Sequence, residues 1–226
     1  YILLSIIVSA TVALSGAAQS LNAKDWFASV RGIGLVDVML EKDLDLAIYK
    51  SAEGDERLGT IYMGENPDGS YAFEYSNDGF DPLFFDTSHN EESAYTLPMV
   101  NLRVLREVDG RYEVVINEET GLNGYFDTGD AITFMSWGDF LMSSAMFTLR
   151  YPDAKYEVRN GPGEGYPLVR YTDGTGYERP QRVDGDWVMF RFTKCEGEQW
   201  LRWRNGDDNL LKVLPQRVYI TRDKME

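Results

Sequence analysis

Cysteine and histidine are nearly missing from this chain of 226 residues: Cys195 and His89 are the only ones. A single thiol cannot close an internal disulfide, so stability has to come from a hydrophobic core. An apolar content of 43%, with 11 Phe and 14 Tyr, is enough for one at this length. The same scarcity limits chemistry. A zinc site draws three or four ligands from Cys, His and carboxylate, and only carboxylates are abundant here. A thiolate nucleophile needs a histidine beside it, yet Cys195 sits in the hairpin-like "TKCEGE" and His89 in the loop-like "DTSHNEES". No G-x-S-x-G elbow holds a serine nucleophile. The oxygen-rich turns of "NPDGSYAFEYSNDGFD" lack the fixed ligand spacing of a helix-flanked calcium loop. The sequence therefore assigns no catalytic residue, no metal ligand and no cofactor.

Basic charge is the second shortage. The chain has 22 Lys and Arg against 37 Asp and Glu, a net −15, and no basic run. Such a surface repels phosphate backbones and anionic lipid heads, so nucleic acid is excluded as a partner. The apolar run from Ile2 to Val8, within "YILLSIIVSATVALSGAA", falls short of the ~20 residues a bilayer needs. Small residues at Gly16, Ala17 and Ala18 follow it. Residues 1–18 thus read as a signal peptide, although the usual basic start is missing. The expectation is export to the periplasm or secretion, with no membrane insertion of the mature form.

Helical periodicity is scarce as well. Apolar alternation recurs at Leu44-Leu46-Ile48, Tyr71-Phe73-Tyr75, Leu102-Val104, Tyr112-Val114-Ile116, Trp187-Met189 and Val218-Ile220. Between these runs lie Asp68-Gly69, Asp78-Gly79, Asp109-Gly110, Asn123-Gly124, Asp173-Gly174, Asp184-Gly185 and Asn205-Gly206, pairs that supply the positive φ of tight hairpins. The fold class is all-β. One exception is "SWGDFLMSSAMFTL", which places Trp137, Leu141, Ala145 and Thr148 near one face and offers Ser136 with Asp139 as a cap. It predicts a helix over 136–147. A second, weaker helical pattern covers "NAKDWFASVRG".

Two segments echo each other. Leu44 to Ile61 with Asn101 to Phe126 forms one, and Ala154 to Gly206 the other. In both, an extended strand enters a small-residue loop, and an Asp-Gly hairpin follows with an aromatic two residues on, so Tyr112 matches Trp187. Tyr125 likewise matches Trp200. The second copy carries Val158-Arg159-Asn160-Gly161-Pro162, Gly174, Gly185-Asp186-Trp187 and Trp200-Leu201 in order. On these residues, Tyr156 to Asn205 resembles the bacterial SH3-like domain family. The first copy matches less well, with Ile48-Tyr49 in place of Val-Arg and no Pro in its loop. The resemblance implies two SH3-like barrels in tandem joined by a short α-helix, similar to exported proteins of Bacteroidetes-type bacteria. The implied boundaries are an N-terminal segment over 19–42, barrel 1 over 43–130 with a β-rich insertion at 62–97, a helical connector over 131–150, and barrel 2 with a C-terminal strand over 151–226.

Aromatics are the strongest binding candidates. Tyr71, Phe73 and Tyr75 line one face of a strand in the insertion, near Phe80. Exposed, they would stack on a sugar or peptide; turned inward, they are core. In "WLRW", one tryptophan is expected to be buried, leaving Trp203 outside between Arg202 and Arg204. Arg159 is either a grip for an acidic ligand or part of a stiff loop. By resemblance, such barrels bind wall peptides or proline-containing segments. The functional expectation is a non-catalytic binding or scaffolding protein of the cell envelope, with peptidoglycan, another glycan, or a protein or peptide partner as ligand. The rival is a carboxylate-dependent cell-wall hydrolase with its site in the insertion, since acids are plentiful.

Overall fold

The computed structural model describes residues 27–39, 43–67, 71–86, 99–129, 131–143, 147–151, 153–172, 180–190 and 197–213. Among the described residues the chain is mostly β-sheet with one short helix, and its largest sheet curls into a half-barrel. Asp109-Gly110 shows how the turns work. It reverses the chain between β6 (Met99–Val108) and β7 (Arg111–Asn117), and its two φ angles of 51° and 78° are those of a two-residue hairpin loop.

The large sheet runs in the order β4 (Tyr71–Tyr75), β3 (Arg57–Glu65), β2 (Asp45–Tyr49), β8 (Leu122–Asp127), β7, β6, β1 (Gly34–Val38) and β9 (Ile132–Ser136). A further strand, β5 (Phe84–Asp86), pairs with the first residues of β6. A five-stranded sheet follows, in the order β12 (Leu168–Thr172), β11 (Tyr156–Arg159), β15 (Gln199–Arg202), β14 (Trp187–Phe190) and β13 (Arg182–Asp184). Two small ladders complete it: β10 (Phe147–Leu149) with β18 (Leu211–Val213), and β16 (Arg204–Asn205) with β17 (Asp208–Asn209).

The order β3-β2-β8-β7-β6 is repeated as β12-β11-β15-β14-β13. The two sets also share an irregularity. Register shifts at Ile48/Tyr49 in one and at Val158/Arg159 in the other. Tyr49 then faces Tyr125, and Arg159 faces Trp200. We call these sets the first and second units. Their ladders correct one sequence match. Trp187 pairs with Arg202, and its counterpart by register is Arg111, which pairs with Asp127. Tyr112 corresponds instead to Val188. The reason is the turn: Gly185-Asp186 forms the second unit's loop, one residue later than Asp109-Gly110 forms the first's. Val188 and Phe190, not Trp187 and Met189, therefore point into the core.

Two other local expectations change. Asn123-Gly124 makes no turn but lies within β8, because a side chain at Gly124 would meet Ile48 Cγ2 at 2.5 Å; the chain turns earlier, at Gly121, with φ 73°. The helix is shorter than 136–147. It is α1 (Trp137–Ser143), begun by the Ser136 hydroxyl, which accepts from Asp139 N at 3.1 Å and donates to its carboxylate at 2.6 Å. Thr148 lies in β10, and Ala145 lies outside the described residues. From Phe27 onward the "NAKDWFASVRG" stretch is turn and bridge rather than helix.

Strand alternation sends neighbouring residues of β1 into different cores. Val36 and Val38 join Ile48, Ile61, Val104 and Phe126 in one; Leu35 joins Trp137, Leu141, Val158, Phe190 and Trp203 in the other. Residues 34–38 and 132–136, read from sequence as outside the barrels, are thus strands of the large sheet. Between the cores runs a polar seam. Buried Arg103 bonds Glu118 Oε1 at 2.8 Å and Ser29 O at 2.7 Å, with its guanidinium 5.5 Å from the Trp137 ring centroid. Beside it Asn101 donates to Asp37 at 3.0 Å, and burial pushes the Asp37 carboxyl up to about 6 although that bond opposes the rise. The N-terminal segment is tied to the β16–β17 hairpin by Val30 N to Asp207 O at 2.7 Å and Asn209 N to Ala28 O at 2.9 Å.

Candidate binding pocket

The segment after β11, Asn160 to Pro167, folds back over the outer face of the second unit. Arg159 holds it there. One terminal nitrogen donates to Glu164 O at 2.8 Å and Tyr166 O at 2.6 Å, while Nε and the other nitrogen engage the Glu157 carboxylate. Gly161 is required by the Tyr166 ring, since a Cβ there would sit 2.1 Å from Cδ1. Arg159 is therefore a loop clamp, its donors already committed.

The clamped loop contributes Glu164 to the lining of a pocket of about 440 Å³. Glu157, Arg202 and Trp187 lie in one row across β11, β15 and β14, on the face opposite Val158, Leu201 and Val188. Glu164 reaches in from the loop to Arg202 Nη1 at 3.2 Å. Tyr151, Lys155 and Tyr156 supply the far side. Burial pushes the Tyr156 phenol above its ordinary range; its hydroxyl donates to Leu210 O at 3.4 Å and accepts from Tyr151 N at 3.1 Å. Arg202 Nε is buried with no hydrogen-bond partner among the described residues.

The equivalent place in the first unit is filled. Arg111, at the position of Trp187, bonds Asp127 Oδ1 at 2.7 Å and donates to the carbonyls of Ser51, Ala52 and Gly54, the last at 2.6 Å. Its guanidinium lies 3.9 Å from the Tyr49 ring centroid. The hydrogen bond that Arg111 donates to Asp127 holds its guanidinium above its ordinary pKa.

The sequence candidates fall into three groups. Phe73, Tyr75 and Phe80 come together with Phe85, ring centroids 5.0–5.3 Å apart for the closest pairs, and the first three are half-buried against the first core. They form a core margin, with Phe85 as its exposed member at 38%. Tyr71 opens β4, and its side chain lies outside the described residues. Trp203 corrects the expectation of an exposed ring. It is 2% exposed and its Nε1 donates to Gly185 O at 2.9 Å. The chain leaves β15 after Arg202, so the ring turns into the second core beneath the β16–β17 hairpin, with Arg204 5.0 Å from its centroid. Trp200 is buried too, on the opposite face, under Arg182 at 4.6 Å. Cys195 and His89 lie outside the described residues.

Sequence reasoning missed Lys155, Glu164, Trp187 and Arg202 as neighbours. Only Arg159 and the Asn160-Gly161-Pro162 stretch after it pointed towards them. No family model matches the chain, and no curated protein or solved structure is similar to it.

Proposed function

We propose that this protein is a non-catalytic binding module of the cell envelope, exported by its N-terminal signal peptide, and built from two SH3-like units of which the second carries the ligand. The SH3-like reading draws support from the repeated strand order and the shared register shift. The functional reading rests on one observation above the rest: the loop that follows Val158-Arg159, clamped by Arg159, brings Glu164 to the edge of an open, aromatic and charged pocket. At about 440 Å³ the pocket has the size of a small-ligand site, for which ~300–1,000 Å³ is usual. It suits a short peptide end such as those of cell-wall peptides.

Sedimentation with purified peptidoglycan tests this. The protein is expected to pellet with the polymer and to leave no soluble wall fragments. Fragment release would replace the reading with a hydrolase, and failure to pellet would remove peptidoglycan as the ligand.

A further inference from the structure

We propose that the pocket takes the carboxylate end of an extended peptide, received by Arg202 and Lys155, and that Glu164 is the protein's own stand-in for that carboxylate. The inference rests on the reading of the second unit as the ligand-binding half. In the first unit an acid, Asp127, receives a cation, Arg111, and the loop carbonyls of Ser51, Ala52 and Gly54 complete the fit. In the second unit Arg202 stands at the position of Asp127, and Trp187 at that of Arg111. The polarity is reversed: an apolar ring stands where the protein cation stood, and the pocket it lines has a cation, Arg202, beside it.

The charges around that opening are unevenly committed. Glu157 is held by Arg159 through two nitrogens. Glu164, with its side chain 72% exposed, makes one ion contact, to Arg202 Nη1 at 3.2 Å. A pair this exposed is weak and easily replaced. Arg202 keeps a buried Nε without a partner among the described residues, so its guanidinium is only partly satisfied. A carboxylate taking the place of Glu164 can meet two guanidinium nitrogens at once, the geometry that makes such pairs strong. Lys155, exposed on the same rim, adds a second cation in a protein of net charge −15.

A peptide fits this lining better than an acidic sugar. The Tyr151 hydroxyl already reaches Asp208 at 3.2 Å, and the Tyr156 hydroxyl reaches Leu210 O. Trp187 and Leu210 present apolar surface. A ring of hydroxyls placed there would lose its hydrogen bonds to water, whereas a small apolar side chain next to a carboxylate loses none.

The test is a titration of the isotope-labelled full chain with N-acetyl-Ala-Ala-Leu as the free acid, its C-terminal amide, and glucuronic acid, read at the Trp187 indole. The Trp203 indole resonance reports that each variant is folded. The free acid is expected to bind about tenfold tighter than the amide, the contribution of one charge-assisted bidentate contact. Arg202→Gln should abolish that preference, and Glu164→Gln should strengthen acid binding about threefold. Equal binding of acid and amide overturns the carboxylate assignment but leaves the pocket as a ligand site. Binding of neither overturns the pocket reading as well. Glucuronic acid binding as tightly as the free acid overturns the peptide.

Discussion

In the first unit an arginine from the hairpin strand β7 ties down the loop after β2; in the second an arginine from β11 itself ties down the loop after it. Arg111 does its work from the middle of the opening and closes it. Arg159 does the same work from the side, and the opening remains, lined by Trp187 and Arg202. The pair teaches that strand order does not decide whether such a unit has a pocket. Which strand supplies the clamp does, because a side chain cannot both fill a space and leave it free. A second contrast lies at the sheet edge. The first unit's β3 is covered by β4, a strand from the insertion, whereas β12 is the edge of its sheet among the described residues.

The comparison is broken most severely at Trp203. Trp203→Ala removes the largest side chain shared between the second core and the β16–β17 hairpin, at a cost of about 4 kcal/mol. Because Leu35 and Phe84 of the large sheet belong to the same core, urea unfolding should remain a single transition at a lower midpoint. A first unit that keeps its amide protection after the second has melted would show the units to be separable.

Asp37 probes the seam between them. Its folded-state carboxyl titrates at about 6 against an ordinary 3.8, through burial. A raised carboxyl contributes no penalty below about pH 4, and the penalty grows as pH rises through 6. Asp37→Asn should therefore stabilise the protein by roughly 2–3 kcal/mol at pH 8 and by almost nothing at pH 3.5. Thermal melts of both forms across that range check it, and a gain that does not vary with pH would contradict the titration.

Arg159→Ala should cost less, about 1–2 kcal/mol, since the loop carbonyls it leaves can turn to water. The expected sign is faster amide exchange at Tyr166, whose amide donates to Gly163 O at 3.2 Å. The smallest effect is expected from Arg111→Met. It empties the first unit's filled place, but Asp127 then faces the space, so no affinity for the free-acid peptide should appear in the same titration. A gain of such binding would undo the argument from reversed charge.

Much of the strand layout was legible in the residues. The alternations at Leu44 to Ile48 and at Tyr112 to Ile116 became β2 and β7, because period-two burial is a local property of a pleated chain. Ser136 and Asp139 marked the start of α1 for the same reason: a cap is made within four residues. What failed were readings that needed a partner. Trp187 looked like the equivalent of Tyr112 until the hairpin register was known, and Trp203 looked exposed until the chain was seen to leave the sheet at Arg202. The pocket was legible only in its loop, since Lys155, Trp187 and Arg202 come from separate strands and connections.

The sequence by itself determined the class of structure, the acidic balance of charge, and the scarcity of thiol and imidazole. These follow from composition and short-range periodicity, which need no knowledge of what lies across the ladder. The tertiary structure alone decided that β1 serves two cores, that Arg159 is a clamp, and that one unit is plugged while the other is open. Those facts depend on which residues of distant strands stand opposite one another, and register across a sheet is fixed by the turns and cores of the whole chain.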